Sequence, residues 1–478
     1  MEYEAVIGLE VHVQLNTKTK IFCNCSTQFG AEPNSHVCPV CMGQPGVLPV
    51  LNEKVLEKGI RAALAIHCSI SEFSKFDRKH YFYPDLPKNF QISQYDKPIS
   101  YNGYIPIRIN GSTKNIGVTR LHLEEDAGKL IHSEDASVKA SFVDYNRTGT
   151  ALAEIVSEPD MHTPQEAYEY LTMLKSVMQY INVSDCNMEE GSLRCDANIS
   201  LRPVGQEALG TKTEVKNLNS FRNVEKALAY EIKRQTKVLN EGGRITQETR
   251  LWDVQKNVTK PMRSKEGAHD YLYFPEPDLV PIIVSREWIE KLKAELPELP
   301  YQKLERYISE YELSDYDAHF ISNNHQFAAY FESALDAYHN PKGIANWIMG
   351  DISRIINEGS FSIEKFPVQP DMTARLVKLL DEKVITSKAA KIVFETMLTS
   401  SKMPEDIVAE KGLRQVSDIG ALEKIIDTVI LSETDTVHAY KNGKTKVIGA
   451  LLGAVMKESK GTANPQRARE LLEKKLTE

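Results

Sequence analysis

Two segments of this 478-residue chain alternate apolar and polar residues with strict period two, and that alternation limits the fold more than any other feature. Residues 8–15 read Gly-Leu-Glu-Val-His-Val-Gln-Leu. Leu9, Val11, Val13 and Leu15 share one face; Glu10, His12 and Gln14 share the other. Residues 192–201 repeat the pattern, with Leu193, Cys195, Ala197, Ile199 and Leu201 opposed to Arg194, Asp196 and Asn198. A third segment, 118–125, runs into Glu124-Glu125 and then Asp126. Short strands of this kind dominate to about residue 290, with helices expected at 164–180 and 223–240, an α+β pattern weighted towards antiparallel strands.

Beyond about residue 290 the texture becomes helical. Helices are expected at 288–296, 301–311, 327–338, 344–356, 374–382, 387–399, 421–431 and 445–458, with a proline-bearing break at 366–370. In 344–356 the apolar positions 344, 348, 352, 355 and 356 fall on one helix face. The length suggests about three domains at ~150 residues each. An apolar fraction of 41% and a charged fraction of 26% exclude a disordered, collagen-like or membrane-bundle chain. The longest near-continuous apolar run, 447–456, is too short to span a bilayer. The start, Met-Glu-Tyr-Glu, has neither the basic opening and apolar core of an export signal nor an Arg-rich transit pattern, so a cytoplasmic protein is expected.

Seven cysteines are present, and Cys23, Cys25, Cys38 and Cys41 crowd into one stretch as Cys-x-Cys, twelve residues, Cys-x-x-Cys. Gly30, Pro33, Asn34 and Ser35 between the pairs form turns. Two thiolate pairs brought together by a turn make a closed tetrahedral zinc cage, and four protein ligands leave no position for substrate, so the expected zinc is structural. Without an export signal, two disulfides fit less well. His36 lies in the loop but is surplus to four thiolates. Cys68, Cys186 and Cys195 read as ordinary buried thiols.

The polar strand faces concentrate Glu10, His12, Glu124, Glu125 and Asp196. Such a face suits a wet cleft or a bound cation; Mg²⁺ takes carboxylate oxygens and bridges to phosphates. A solvated strand surface has the same pattern, and the residues alone do not separate the two. Residues 75–95 set Arg78, Lys79, His80 and Lys88 among aromatics and two prolines, which suits phosphate gripping and base stacking, although the residues alone favour an aromatic loop packed on a sheet. The usual phosphate loops are missing. No Gly-x-Gly occurs, and the glycine that a Walker loop ending at Gly443-Lys444-Thr445 requires is His438. Net charge is −8, yet residues 441–478 hold nine basic and four acidic groups, +5, leaving −13 elsewhere. A basic end on an acidic body suits a nucleic-acid partner; a solvated helix face gives the same signature.

Several long motifs carry a resemblance: Ile7-Gly-Leu-Glu-Val-His-Val-Gln-Leu15, Tyr81-Phe-Tyr-Pro-Asp-Leu-Pro-Lys-Asn-Phe-Gln-Ile-Ser-Gln94, Leu121-His-Leu-Glu-Glu-Asp-Ala-Gly-Lys129, Asp144-Tyr-Asn-Arg-Thr-Gly149, Met188-Glu-Glu-Gly-Ser-Leu-Arg-Cys-Asp-Ala-Asn198 and Tyr273-Phe-Pro-Glu-Pro-Asp-Leu279. In this order they resemble the B subunits of the aspartyl/glutamyl-tRNA amidotransferases, the GatB family, and the end near 461–465 resembles that family's tail. One departure is Ala151 where the family pattern has proline. That changes loop stiffness rather than a polar contact.

The resemblance implies an α+β fold in three parts. These are a sheet-rich, kinase-like cradle at 1–292 for ATP, Mg²⁺ and the tRNA acceptor end, a helical domain at 293–407, and a small helical, YqeY-like tail at 408–478 that meets tRNA. It implies ATP-dependent phosphorylation of the side-chain carboxylate of Glu-tRNA(Gln) or Asp-tRNA(Asn), then amidation by ammonia. Glu10, His12, Glu124, Glu125 and Asp196 become the expected Mg²⁺ ligands. Lys79, Lys88, Arg147 and Arg194 become the expected catalytic cations, and Tyr81, Ser93 and Gln94 the expected cofactor-binding groups. Cys23, Cys25, Cys38 and Cys41 keep the structural zinc, a cluster that only some family members carry. The chain contains no glutaminase nucleophile, so the resemblance implies a heterotrimer with a glutaminase A subunit and a small C subunit, and no membrane. In the tail, Lys441, Lys444, Lys446, Lys457, Lys460, Arg467 and Arg469 are the expected tRNA-backbone contacts. The competing reading is a non-catalytic, zinc-containing tRNA-binding adaptor, which ATP-dependent release of ADP would exclude; a stand-alone ligase would have to use glutamine alone.

Overall fold

The alternating segments lie side by side at the centre of a nine-stranded sheet. In the computed structural model, which describes residues 2–132, 140–262, 271–359, 361–415, 419–459 and 461–477, the strands run Val258–Pro261, Glu248–Asp253, Thr213–Leu218, Leu193–Pro203, Tyr3–Gln14, Ala151–Ser157, Ser112–Glu125, Ser100–Ile109 and Ser69–Ile70. All neighbours are antiparallel except Thr213–Leu218 and Glu248–Asp253, which are parallel and joined through the helix Phe221–Asn240. The α+β expectation therefore holds. The three strands read from alternation are present at slightly greater length, because pairing continues past the strictly alternating core.

One sheet face is apolar across its central strands. Leu9, Val11, Val13, Leu121, Leu123, Ala153, Ile155, Cys195, Ala197 and Ile199 join a single core with residues of the helices Glu53–Ala65, Pro164–Tyr180 and Phe221–Asn240. Full burial of each Val, Leu or Ile side chain contributes roughly 1.5–3 kcal/mol. The helix Pro164–Tyr180 begins where the sequence dictates. Thr163 caps it by accepting from Glu166 N at 3.1 Å, Pro164 occupies the first turn, and Glu166 reaches back to His162 N at 2.6 Å. Gly103 sits where no side chain fits: a Cβ there would lie 2.4 Å from Cys68 Sγ and 2.6 Å from Ile66 O. The opposite sheet face carries the polar residues. A separate three-stranded sheet, Leu272–Pro275, Asp77–His80 and Phe90–Ser93, stands beside it, with Phe90–Ser93 against Ser112–Glu125.

The chain divides into two compact units, Met1–Lys303 and Leu304–Glu478. The second is helical. Residues 344–356 do not form one continuous α-helix: Pro341–Trp347 passes through a π-helical turn, Ile348–Ile352, into Ser353–Asn357. The break at 366–370 separates a short 3₁₀ turn, Ile363–Lys365, from the helix Pro370–Asp381. Among the described residues, five helices were not read from the sequence: Glu53–Ala65, Asp315–Ser322, Pro404–Lys411, Thr434–Lys441 and Pro465–Thr477. Leu422, Ile426, Val429, Leu451, Val455 and Leu472 form a core of their own near the C-terminus. Among the described residues no helix is long and apolar enough to cross a membrane.

A buried ion pair fixes the far edge of the sheet. Glu231, on the helix Phe221–Asn240, has no exposed surface and binds Arg234 Nη2 at 2.8 Å, Gln235 Nε2 at 3.1 Å and Arg250 Nε at 3.3 Å. Burial alone would raise its carboxyl, but these donors and Thr259 hold it below its ordinary value. Removing one partner of a buried pair strands the other charges. Glu231→Ala is therefore expected to cost about 3–5 kcal/mol, measured as the shift in urea unfolding of the two proteins.

Candidate functional site

Strand register assembles the site. Across the sheet, Arg194 faces His12, His12 faces Glu154, and Glu154 faces His122, forming one row on the polar face. The next row holds Asp196 opposite Glu10, and on the other side Glu124 stands opposite Leu152. His12 Nε2 lies 3.4 Å from both Glu124 Oε1 and Glu154 Oε2. His122 Nε2 lies 3.2 Å from Glu154 Oε2 and 3.6 Å from Glu124 Oε2. Arg120 Nε donates to His122 Nδ1 at 3.3 Å, which leaves the Nε2–H of His122 to donate to Glu154. One nitrogen of His12 and one oxygen each of Glu124 and Glu154 fall within 4.8 Å of one another, a set able to hold a metal ion.

The charge balance is tight because Glu124 and Glu154 are both buried. Burial would raise both carboxyls, but the two histidines outweigh it and hold both well below the usual range. Burial would equally push His12 down; hydrogen bonds and charge from Glu124 and Glu154 instead hold it up at about 10. One imidazolium against two carboxylates leaves a unit of negative charge, and Lys79 is the nearby cation. Burial opposes its charge, while Glu124 and Glu154 hold its ammonium above its ordinary value.

Lys79 belongs to the small sheet, whose two faces look into different compartments. Lys79, Gln91 and Ser93 alternate onto one face. Ser93 Oγ donates to Glu124 Oε2 at 3.1 Å, Gln91 accepts from Tyr81 OH at 3.3 Å, and Lys79 Nζ stands over the rings of Tyr271 at 4.7 Å and Tyr81 at 5.8 Å. Arg78, Phe90 and Ile92 alternate onto the other face and, with Lys88 and Glu125, line a cavity of about 220 Å³ under the cysteine loop. There Lys88 pairs with Glu125, which also accepts from Ile92 N at 2.9 Å. The acidic doublet is thus split between compartments.

The remaining expected residues lie as follows. Glu10 accepts from Asn198 Nδ2 at 2.8 Å, and Asp196 is paired with Lys216 at 2.7 Å, both one row from His12. Arg194 Nη2 reaches Asp126 at 2.6 Å, and its Nε is buried without a partner among the described residues. Arg147 Nη2 and Nε donate to the carbonyls of Gly128 and Ala127 at 2.7 and 3.1 Å, bracing the loop after Asp126. Gln94 bonds Ser74 Oγ, Ile99 N and Leu123 N, so its amide joins strands. Glu154 and His122 were missed as cluster members. The signal was present: His122 alternates with Glu124, and Glu154 sits mid-strand among Ala151, Leu152, Ala153 and Ile155, where a solvated carboxylate is out of place.

The four cysteines converge. Cys38 and Cys41 sulfurs are 3.9 Å apart, and all four sulfurs lie within 4.8 Å of one another. A tetrahedron with Zn–S of about 2.3 Å has edges of about 3.8 Å, so the cluster is compatible with zinc. Lys20, fully buried, places its ammonium 3.7 Å from Cys41 Sγ and donates to His36 O at 2.7 Å. It supplies positive charge against the thiolates, and the sequence reading did not single it out. Hydrogen bonding from Cys23 first, opposed by burial, draws the Cys41 thiol down to about 4. Cys68, Cys186 and Cys195 are buried and free, as expected. The motif at 144–149 clasps this loop: Asp144 accepts from Asn34 N at 3.0 Å, Asn146 from His36 N at 2.8 Å, and Gly149, at φ +82°, accepts from Ile21 N at 2.9 Å.

A mostly antiparallel sheet thus carries a largely buried row of imidazoles and carboxylates on one face, beside a cysteine loop. Residues 5–290 match the GatB/GatE catalytic domain, and residues 329–476 match the GatB domain. The chain belongs to the GatB family. It is 56% identical over 476 residues to the B subunit of the aspartyl/glutamyl-tRNA(Asn/Gln) amidotransferase of Carboxydothermus hydrogenoformans, covering 99% of each chain. It is 57% identical over 477 residues to the protein of the same name from Thermoanaerobacter pseudethanolicus, and 54% over 477 residues to that from Geotalea daltonii, covering all of each chain in both cases.

The raised pKa of His12 has a testable sign. In metal-free protein its contribution to stability is complete below the unfolded value near 6.5 and fades as pH rises towards about 10. Thermal melts of metal-free wild type and His12→Gln are expected to differ most near pH 6 and to converge by pH 10.

Proposed function

We propose that this chain is the ATP-using component of a glutamine-dependent amidotransferase acting on Glu-tRNA(Gln), Asp-tRNA(Asn) or both. The observation that carries the reading is the His12, Glu124 and Glu154 cluster beside Lys79 on the polar face of the sheet, in a chain whose relatives of equal length are named as the B subunits of amidotransferases. A carboxylate is a poor acceptor for ammonia because its leaving group is oxide. Transfer of the γ-phosphoryl group of ATP to one carboxylate oxygen forms an acyl phosphate and releases ADP. Ammonia then attacks the carbonyl carbon, inorganic phosphate leaves, and the amide forms. Such transfer rests on positioning and neutralised charge.

His12, Glu124 and Glu154 would hold a divalent cation such as Mg²⁺, with Glu10 and Asp196 one row away and Glu125 across the small sheet. The two carboxylates suit Mg²⁺ or Mn²⁺; His12 would join them only after giving up its proton, and the ion would supply charge neutralisation for phosphate oxygens. Lys79 takes phosphate oxygens beside the cluster. Arg194, whose Nε–H lacks a partner among the described residues, takes an oxygen of the transferred group or the substrate ester. Arg147 and Lys88 act one step back, through the 126–128 loop and Glu125. Ser93 orients Glu124, and Tyr81 and Gln94 shape the nucleotide side. Ammonia comes from a partner glutaminase A subunit, with a small C subunit completing the heterotrimer.

The tail, taken as 408–478 after a helical domain ending near 407, has its own core. Lys441, Lys444, Lys446, Lys457, Arg467 and Arg469 are exposed there and suit tRNA phosphates, while Lys460 lies outside the described residues. Zinc held by Cys23, Cys25, Cys38 and Cys41 is structural.

With the A and C subunits, charged tRNA and ammonia, Glu154→Gln is expected to lower ADP release and amide formation at least a hundredfold, leaving glutamine hydrolysis by the A subunit nearly unchanged. Near-normal ADP release would remove the cluster from the chemistry, and no ADP release by wild type would favour the tRNA-binding adaptor. For the cysteine loop, metal analysis of freshly purified reduced protein is expected to give one zinc per chain. Cys38→Ser should lower the melting temperature more than the rate at a permissive temperature.

A further inference from the structure

Among the described residues Lys20 is the one lysine with no exposed surface, and a buried ammonium is costly unless its partners offset the loss of water. Its three N–H donors meet three acceptors: His36 O at 2.7 Å, Tyr145 O at 3.4 Å and Cys41 Sγ at 3.7 Å. Two of these are neutral carbonyls, and no carboxylate among the described residues pairs with it. The sulfur is therefore the partner able to carry a charge. The rest of the residue is fixed from both sides. Lys20 N donates to Cys25 O at 3.1 Å, and Lys20 O accepts from Asn52 Nδ2 at 3.3 Å. Its neighbour Ile21 is tied to Gly149, and a Cβ at Gly149 would lie 3.5 Å from both Lys20 Cδ and Cys41 Cβ. The stem is packed between the 144–149 clasp and the cysteine cage, which keeps the ammonium beside the sulfur.

Cys41 is the second observation. It is the buried member of the four, whereas Cys23, Cys25 and Cys38 are half-buried. Its sulfur also accepts from Cys38 N at 3.2 Å, so two donors converge on the one thiolate that solvent reaches least. Charges held away from water are screened little, and the ammonium stands on that side of the cage. Four thiolates around one Zn²⁺ leave two units of negative charge. Thiols that keep their protons carry none, so filling the cage adds negative charge next to Lys20.

We propose that Lys20 is the built-in counter-charge of the zinc cage: its ammonium, held beside Cys41 by His36 O and Tyr145 O, halves the negative charge of the filled site and so tightens the hold on zinc. This rests on the zinc reading above and adds the residue, outside the four ligands, that sets the strength of binding. A lysine that only pegged the loop to the clasp would act through the two carbonyls and would matter equally with and without metal. A counter-charge matters more when the cage is full. By linkage, zinc must then stabilise a chain lacking the ammonium less than it stabilises the wild type.

The test uses the reduced, zinc-loaded full chain and two variants. Lys20→Met keeps the shape of the stem and removes charge and donors together; Lys20→Gln removes the charge and keeps an N–H donor. Zinc affinity is read by competition with a chelator of known strength, and thermal melts are taken with zinc bound and after its removal. Both variants are expected to raise the zinc dissociation constant about tenfold or more. Both should melt below wild type when loaded, and that gap should shrink or reverse once zinc is removed. An unchanged dissociation constant in Lys20→Met would overturn the proposal and leave the zinc reading standing. Wild-type affinity in Lys20→Gln would assign the effect to hydrogen bonding rather than charge and would overturn it too. An equal fall in melting temperature with and without zinc would make Lys20 a peg between loop and clasp, which also overturns it. Failure of both variants to fold even with zinc present would place Lys20 in the fold itself and have the same consequence. Absence of zinc from freshly purified wild type that also binds none when it is added would overturn the zinc reading and this proposal together.

Discussion

Two carboxylates, Glu124 and Glu154, lie buried on one sheet face within reach of the same two imidazoles, and the surrounding structure is arranged to hold that charge. Removing ions from water costs several kcal/mol each unless geometry compensates. Compensation here comes from His12, His122, Ser93 and the nearby Lys79, drawn from strands of both the large sheet and the small one. Such an arrangement tolerates no slip. Shifting any one strand by a residue would send its polar members to the apolar face and its core members to the cluster. The helices that cover Val11, Leu123 and Ile155 therefore do more than close a core. By making the apolar face unambiguous, they fix the register that brings His12, Glu154 and His122 into one row.

Much of this was legible in residues 8–15 and 192–201, because period-two alternation states both the element and the side that faces water. Which strands are neighbours was not legible. Pairing is a long-range fact, and Glu154 reaches His12 only through an antiparallel partner some 140 positions away. That is why Glu10 and Asp196, conspicuous in sequence, pair with Asn198 and Lys216, while Glu154 and His122 complete the cluster. The helix Glu53–Ala65 escaped notice for a local reason. Its buried face mixes Gly59, Ala62, Ala63 and Ala65 with Val55, Leu56 and Ile60, and small residues weaken the apolar signal while allowing close packing on the sheet. The interruption of 344–356 by a π-helical turn was equally hidden, since apolar residues at 344, 348, 352 and 356 recur every four positions, a spacing that an α-helix and a wider turn both accommodate.

The motif at 144–149 shows how a sequence string can have a use that its own letters do not announce. Arg147 reads as a catalytic cation, yet its Nε and Nη2 donate to the carbonyls of Ala127 and Gly128. Asp144 and Asn146 hold the backbone of Asn34 and His36, so one six-residue string clasps the cysteine loop with one end and braces the Asp126 loop with the other. Gly149 supplies the left-handed turn that lets the string double back and pair with Ile21. Ala151 then opens the strand Ala151–Ser157, where it pairs with Glu125.

The division of labour between Glu124 and Glu125 follows from the pleat. Adjacent residues of a strand point to opposite sides, so an acidic doublet at a strand end necessarily serves two environments. Glu124 joins the imidazoles, while Glu125 turns to Lys88 in the cavity below the cysteine loop. The small sheet repeats the device with cations. Lys79 alternates towards the cluster and Arg78 towards the cavity, where Arg78 is held by both oxygens of Glu276 at 2.8 Å. Each compartment thus has its own carboxylate and its own cation, one residue apart in the chain and on opposite sides of a wall only one strand thick. A displacement of that wall would be felt on both sides at once, because Ser93 is tied to Glu124 and its neighbour Ile92 to Glu125. The peptide between Ile92 and Ser93 is therefore a direct covalent link between the two compartments, and their geometries are coupled through it.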